Sequence, residues 1–517
     1  MFNHHGRLFI WDDEMKIKQR EFVFLIGFIC LLAVLRAVQI SFQNDWTLGI
    51  SLGALAGGLG YLIYQGLQTR SHLSLIGRPQ AAIIFCLCVI WICILWLPFG
   101  LFGFTIFIQA SIPLSGSAFT WLTINRYPII IILVAIYLVL LFLTLRVRKF
   151  LAYLFSDMAN KPGRALQLAI ATGSLRDAWR SCLQLVCMLI GVMVTIVVAA
   201  FVNAVVHQNW LFVITKGIIV FGASFVNVWM LLRLLDIPVS LRVDRWHWPL
   251  FALLFGFCIT MLIGGLSGAN GSEPRSQMII VHRGVINHNG VGNTIAALEK
   301  SSQAHFPYIE MDIQETSDHQ FICAHDNGVR IPGKGVQEID TVPLSTIRKY
   351  HRVELFRDYL RVANRVKQPL IIELKVTNHS DKLMGTRFAD KFKAGLTKLP
   401  HRVHSIGYPY LRQIKQQIPS LKIGLVTMLN VGDISKLNVD FYTMEHLTLT
   451  NYMLKVIKGS HRPVYTWTDN SHLGMIRSAV MGVDGQVTGQ AKKLASLKIN
   501  LNRDRWVLLL NFLKDYL

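Results

Sequence analysis

Seven apolar runs in the first half of the chain constrain its fold more than any other feature. They cover Phe22 to Phe42 and then 48–67, 81–114, 128–145, 182–206, 210–235 and 248–267. About 20 apolar residues are what an α-helix needs to cross the hydrocarbon of a bilayer. Within that hydrocarbon an open backbone has no partner, so such runs must be helices. The first is too long for the core of a signal peptide and lacks a convincing cleavage site, so it reads as a retained span. The run 81–114 carries Pro98 and Gly100 and reads as one crossing with a kink or re-entrant continuation. Residues 1–267 are therefore expected to form a polytopic α-helical membrane domain with about seven transmembrane helices.

The loops orient this array. Arg70 and Arg78 follow the second run, Arg146, Arg148, Lys149, Lys161, Arg164, Arg176 and Arg180 the fourth, and Arg242 and Arg245 the sixth. The alternate connections, at Asn44-Asp45, Ser115 to Arg126 and His207 to Asn209, are nearly free of basic residues. The positive-inside rule then puts the N-terminus in the cytoplasm. Seven crossings place the second half of this multi-pass chain on the outer face of the cell (plasma) membrane. The segment 146–180, with Trp179 and Lys161-Pro162-Gly163, resembles interfacial helices. These loops and the anionic headgroups they meet account for much of the net charge of +22, so no nucleic-acid partner is expected. Arg36 and Lys216 fall near outer helix ends, where long cations snorkel to the headgroups. The other reading is that Lys216, with Asn203 or Asn227, meets a lipid phosphate inside the bundle. Seven of the eight cysteines lie in apolar runs and Cys323 stands alone in the second half, so neither disulfides nor zinc are expected.

After a polar connector, Gly268 to Gln277, the pattern changes. Met278 to Val281 leads into His282-Arg283-Gly284, Tyr308-Ile309 into Glu310 and Asp312, and Phe321 to Ala324 into His325-Asp326. Short apolar runs of this kind read as buried strands. Others follow at Pro369 to Val376, Val403 to Ile406, Lys422 to Met428, Phe441 to Met444 and Val464 to Thr468, with helical stretches near 344–351, 408–417, 450–458 and 471–481. This alternation predicts that residues 278–517 form an α/β TIM-type (β/α)8 barrel, with its chemistry at the C-terminal ends of the strands. The tail, Arg503 to Leu517, reads as an amphipathic helix.

The clustered residues suggest a reaction. Glu310 and Asp312 are two apart, so on a strand they leave the same face. Converging carboxylates repel unless a cation lies between them, and hard oxygens suit Mg²⁺ or Ca²⁺. Two histidines on different strands can supply a general acid and a general base, and Arg283 offers a fork of donors matched to phosphate. Glu373 and Lys375 repeat the same-face spacing, and an inward lysine beside carboxylates makes sense next to a phosphate. His446 ends another strand-like run and is a candidate for lining the site. His288, His305, His319, His351, His379, His401, His404, His461 and His472 read as surface residues.

His-Arg-Gly, Asn293-Thr294 opening a helix, Glu310-Met311-Asp312 and His325-Asp326, in this order, resemble the glycerophosphodiester phosphodiesterases. Ile371 to Lys375, Trp467 to Asn470 and Val483-Asp484-Gly485 agree with that resemblance, which covers about 278–490. The apolar half is similar to that of a membrane-anchored branch of the family. The resemblance implies Glu310, Asp312 and Glu373 as ligands of a divalent metal ion, Ca²⁺ or Mg²⁺, and His282 and His325 as the acid/base pair. It implies Arg283 and Lys375 as phosphate-binding residues and Trp467 packed against the substrate. Two positions depart from the family. Its usual glutamate before Asn-Thr is here Gly292, after an insertion-like segment Val285 to Val291, and Thr488-Gly489-Gln490 replaces a Thr-Asp. In the family that glutamate helps fix the arginine and the glycerol end, and the two departures together imply altered specificity. The expected function is metal-dependent hydrolysis of glycerophosphodiester bonds at the outer face. A substrate carried by the lipid bilayer is expected, either a glycerophosphate polymer such as lipoteichoic acid or a lipid headgroup. The alternative is a non-catalytic glycerophosphate- or lipid-binding module.

Overall fold

The computed structural model describes residues 19–71, 78–156, 161–235, 256 and 277–513. The expected span at 248–267, apart from Gly256, and the connector residues 268–276 lie outside them. The chain divides into two packed units, one of Met1–Ile108, Ile131–Ala269 and Leu509–Leu517, the other of Gln109–Ile130 and Asn270–Leu508.

The first unit is helical. Among the described residues five helices are long and apolar enough to cross a membrane: Phe24–Phe42, Asp45–Leu67, Arg126–Arg146, Leu175–Val206 and Asn209–Leu232. The apolar run at 81–114 is broken into helix Pro79–Leu95, 3-10 turns Leu97–Phe99 and Leu101–Gly103, and helix Thr105–Ser111. Gly100 there takes a φ of 80°, which ends a helix at little cost. The turn exposes carbonyls to the bundle interior, and this redirects a cation. Arg36 does not snorkel as expected; it is 8% exposed and donates to the Gly103 carbonyl. Lys216 is also buried. Arg176 and Arg180 belong to the first turns of Leu175–Val206, so of the segment expected to be interfacial only Phe150–Leu154 and Pro162–Thr172 form separate short helices among the described residues. The described cysteines are all free thiols.

The second unit is built on eleven strands: β1 (Met278–Val281), β2 (Tyr308–Glu315), β3 (Phe321–Cys323), β4 (Gly328–Ile331), β5 (Gly335–Glu338), β6 (Leu370–Leu374), β7 (Arg402–Ser405), β8 (Lys422–Thr427), β9 (Phe441–Glu445), β10 (Val464–Trp467) and β11 (Gly485–Thr488). Eight of them, in the order β1-β11-β10-β9-β8-β7-β6-β2, run parallel, and pairing of β1 with β2 closes the barrel. Inside, Ile280, Tyr308, Ile371, Phe441, Tyr465 and Val487 pack into one core. The Arg402 guanidinium lies 4.6 Å from the centroid of the Tyr308 ring, a cation over an aromatic face inside the barrel.

Two expectations need correction. β3 is not a barrel strand, since it runs antiparallel along the end of β2, with Ile313 opposite Cys323. β4 and β5 form a separate antiparallel pair, with Gly328 opposite Glu338. As far as residue 513, the tail is not one amphipathic helix but a single turn, Leu501–Asp504, capped by Asn500, followed by a 3-10 run, Arg505–Asn511.

Candidate active site

Parallel pairing sets the site. Asp312 on β2 lies opposite Glu373 on β6, and Glu373 lies opposite His404 on β7, so three polar side chains form one row across the barrel interior. Glu310, two residues before Asp312, leaves the same face one layer deeper.

At the end of β1 the chain turns sharply through His282–Gly284, with Arg283 at φ 53° and Gly284 at φ 71°. That turn aims the Arg283 backbone N–H at Glu310 Oε2 (3.0 Å) and leaves His282 Nε2 4.0 Å from the same oxygen. Arg283 Nε stands 3.5 Å from Asp312 Oδ2. Asn293 holds Asp312 twice: its Nδ2 donates to Oδ2 (2.9 Å), and its Oδ1 accepts from the Asp312 N–H (3.0 Å). Thr294 then caps the helix Ile295–Ser302 by accepting from the Ala297 N–H, which explains why Asn-Thr stands at a helix start. Lys375 Nζ bridges Asp312 Oδ1 (3.0 Å) and Glu373 Oε1 (2.9 Å).

His325 reaches this end of the barrel from the loop after β3. Gln314 donates to the carbonyls of Ala324 (3.2 Å) and Asp326 (2.7 Å), and His325 Nδ1 lies 2.8 Å from Asp326 Oδ1. Trp467, at the end of β10, packs on the interior core and donates Nε1–H to the Thr427 carbonyl (3.2 Å). His446 lies beside Asp469, Nδ1 to Oδ1 2.9 Å, in a buried network with Thr466 and Ser478.

Electrostatics follow from burial and charge. Burial, with Asp312 and Glu373 nearby, holds the Glu310 carboxyl well above its usual range. Burial also raises Glu373, against the pull of Lys375. Burial alone would raise Asp312 as well, but Lys375, His325 and the Asn293 hydrogen bond outweigh it and bring it to about 2. Lys375 is raised, because its two carboxylates outweigh desolvation. His282 is lowered to about 3 by burial and by Arg283. Excess negative charge in a dry site is what a bound cation relieves.

His404 was placed among the surface histidines by sequence. It is 2% exposed, its Nδ1 lies 3.0 Å from Thr443 Oγ1, and burial lowers it to about 3. Ligand atoms of Glu310, Glu373 and His404 lie within 4.8 Å of one another, a group able to hold a metal ion. Arg402 and His404, two apart on β7, share the face of the strand that looks into the barrel. His401 is also buried, with Nδ1 accepting from the Leu370 N–H (3.0 Å).

The two departures from the family pattern meet at one place. His282, Arg283, Val285, His288, Gly292, Asn470, Gly489 and Gln490 line a cavity of about 240 Å³. Across it the Asn287 N–H donates to the Gly489 carbonyl (2.8 Å), and His288 Nε2 lies 3.2 Å from Gln490 Nε2. A side chain at 292 would crowd Arg283, since a Cβ there falls 3.0 Å from the Arg283 Cβ.

A closed parallel barrel with carboxylates, cations and imidazoles gathered at one end has the architecture of a TIM-barrel enzyme, whose chemistry sits at the C-terminal ends of its strands. Residues 282–492 match the glycerophosphoryl diester phosphodiesterase family. This segment is a glycerophosphodiester phosphodiesterase domain, and the chain that carries it is an enzyme of that kind. YhdW of Bacillus subtilis strain 168, to which that activity is provisionally ascribed, is 24% identical over 236 residues, 41% of this chain and 93% of YhdW. A glycerophosphodiester phosphodiesterase of Caldanaerobacter subterraneus is 24% identical over 245 residues, 43% of this chain and 97% of the relative. An Oleispira antarctica phosphodiesterase solved with sn-glycerol-3-phosphate aligns over 42% of this chain and 95% of its own, at 18% identity and a TM-score of 0.37.

Proposed function

We propose that this enzyme cleaves glycerophosphodiesters borne by the membrane, at the outer face, either a glycerophosphate polymer such as lipoteichoic acid or a lipid headgroup. The observation that carries the reading is a collar of exposed apolar side chains at the catalytic end. Val291 (75% exposed), Leu383, Leu429, Leu447 and Leu473 each lie in the connection that follows a barrel strand, where a soluble enzyme has no need of them. The segment Gln109–Ile130 packs against the connections that follow β6, β7 and β8. Thr120 Oγ1 accepts from the Tyr408 N–H (3.1 Å), Asn378 donates to Asn125 (3.0 Å), and the Gly432 N–H donates to the Gln109 carbonyl (2.8 Å). That segment runs into Arg126–Arg146, a helix apolar enough to cross a bilayer. A rim of this kind suits a substrate that stays in a lipid surface.

In the mechanism Arg283 and Lys375 hold the phosphate oxygens. His282, kept neutral by burial and Arg283, accepts the proton of the attacking hydroxyl. His325, oriented through Nδ1 by Asp326, delivers a proton to the departing alkoxide. The acidic group Glu310, Asp312 and Glu373 fits a divalent cation, which when bound supplies Lewis-acid polarisation of the phosphoryl group. The cavity at Gly292 accepts the alcohol part, and its polar lining, which includes His288, Asn470 and Gln490, suits polyol hydroxyls.

The test gives full-length protein in lipid nanodiscs three substrates: glycerophosphocholine, a phospholipid and a glycerophosphate polymer. We expect one of the membrane-borne substrates to be cleaved faster than the soluble diester, with the advantage lost in Leu383→Asp/Leu447→Asp. Cleavage of the soluble diester alone, unchanged by those substitutions, contradicts the proposal.

A further inference from the structure

The row Asp312–Glu373–His404 raises a question about its third member. His404 lies on the innermost face of β7 and is fully enclosed by the barrel, yet its Nε2 has no hydrogen-bond partner. Glu310 Oε1 is 4.0 Å away, too far for a hydrogen bond. The other ring nitrogen is occupied, 3.0 Å from Thr443 Oγ1 on the neighbouring β9. A histidine whose Nδ1 is held by a hydroxyl and whose Nε2 is left bare toward carboxylates has the arrangement of an imidazole ligand: one nitrogen fixed by an outer partner, the other offered to an ion. Its offered nitrogen lies in the 4.8 Å cluster with Glu310 and Glu373, and Asp312 and Glu373 are both held by Lys375.

We propose that His404 is a protein ligand of the divalent cation, bound through Nε2 together with Glu310 and Glu373, and that Thr443 orients it. The proposal rests on the reading that the acidic group holds a cation. It has a consequence for which cation. An all-oxygen set favours Ca²⁺ or Mg²⁺, while an imidazole among carboxylates favours Mn²⁺, Co²⁺ or Zn²⁺. Loss of His404 should therefore cost the transition metals more than the alkaline earths.

The experiment uses full-length protein in detergent, stripped of metal. Affinities for Mn²⁺, Zn²⁺, Mg²⁺ and Ca²⁺ are measured by calorimetry, and ¹⁴N couplings to bound Mn²⁺ by electron spin-echo spectroscopy. Wild type is expected to show an imidazole ¹⁴N coupling and to prefer Mn²⁺ and Zn²⁺ over Mg²⁺ and Ca²⁺. His404→Gln, which retains an amide toward Thr443, is expected to lose the coupling. It should also lose roughly tenfold or more in Mn²⁺ and Zn²⁺ affinity, with a much smaller change for Mg²⁺ and Ca²⁺. Bound Mn²⁺ without nitrogen coupling in wild type overturns the assignment with no variant needed. A coupling that persists in His404→Gln, while Glu310→Gln abolishes Mn²⁺ binding, overturns the role of His404 alone. Mn²⁺ binding that survives Glu310→Gln overturns the cation reading with it.

Discussion

Lys375 and His401 show how single side chains couple stability to the site. Lys375 is the positive charge that lets Asp312 and Glu373 lie side by side. Replacing it by methionine leaves buried carboxylates without their partner, and breaking such a pair costs about 3–5 kcal/mol. Lys375→Met should therefore melt well below wild type in chelator, and a saturating divalent cation should restore more of its stability than it adds to wild type. Equal cation effects on the two proteins would show that the lysine and the ion do not share a site. His401 acts elsewhere, beneath β6, where its Nδ1 must stay unprotonated to accept from Leu370. Burial lowers it to about 4 from 6.5. The unfolded chain takes up the proton near pH 6.5 and the folded chain only near 4, so stability falls as pH drops through that window, by up to about 3 kcal/mol. In His401→Asn the slope of melting temperature against pH between 6.5 and 4 should be shallower, and an unchanged slope contradicts the assignment. Sequence marked the polar clusters because each stands at the end of an apolar run. It missed His401 and His404 because a four-residue strand has too little pattern to show which face is dry.

At the scale of elements, same-face spacing was legible and strand direction was not drawn from it. Glu310 with Asp312 and Glu373 with Lys375 do share the barrel interior, as their two-residue spacing requires. β3 was read as a further parallel strand, yet only Thr316 to Gln320 separate it from β2. A parallel crossover needs about a dozen residues, so five permit only an antiparallel return. The consequence is functional, since His325 rides on a hairpin extension held by Gln314 rather than on a rigid barrel strand. Gln314→Ala frees the carbonyls of Ala324 and Asp326 and lets His325 drift. A displacement of about 1 Å at a catalytic group costs roughly a hundredfold in rate. We expect kcat to fall on that order with KM little changed, and faster amide exchange across 324–328. A variant with unaltered kcat would mean that Gln314 does not position the histidine.

For the whole molecule, the two halves were legible for different reasons. Apolar runs of membrane-spanning length announce helices whatever their neighbours, and five described helices have that character. The barrel was legible through its alternation, while its closure by β1 on β2 depends on Ile280 meeting Tyr308 and Val281 meeting Ile309, far apart in the chain, which no local pattern displays. The association of Gln109–Ile130 with the connections around the barrel was hidden for the same reason, because that segment joins apolar runs and looks like a plain connection. The collar of Val291, Leu383, Leu429, Leu447 and Leu473 emerges only once the strand ends are brought to one side of the barrel.

The central claim is that a phosphodiester is broken at the carboxylate cluster on β2 and β6. Glu310 is a buried member, touched by the Arg283 backbone and within 4.0 Å of both His282 and His404. Glu310→Gln keeps the shape and removes the charge. The decisive measurement is release of glycerol phosphate from a glycerophosphodiester by purified full-length wild type and Glu310→Gln, under identical divalent-cation conditions. The account predicts turnover by wild type and a loss of about a hundredfold or more in the variant, with matching thermal stability in the presence of cation. Undiminished turnover by Glu310→Gln would contradict it.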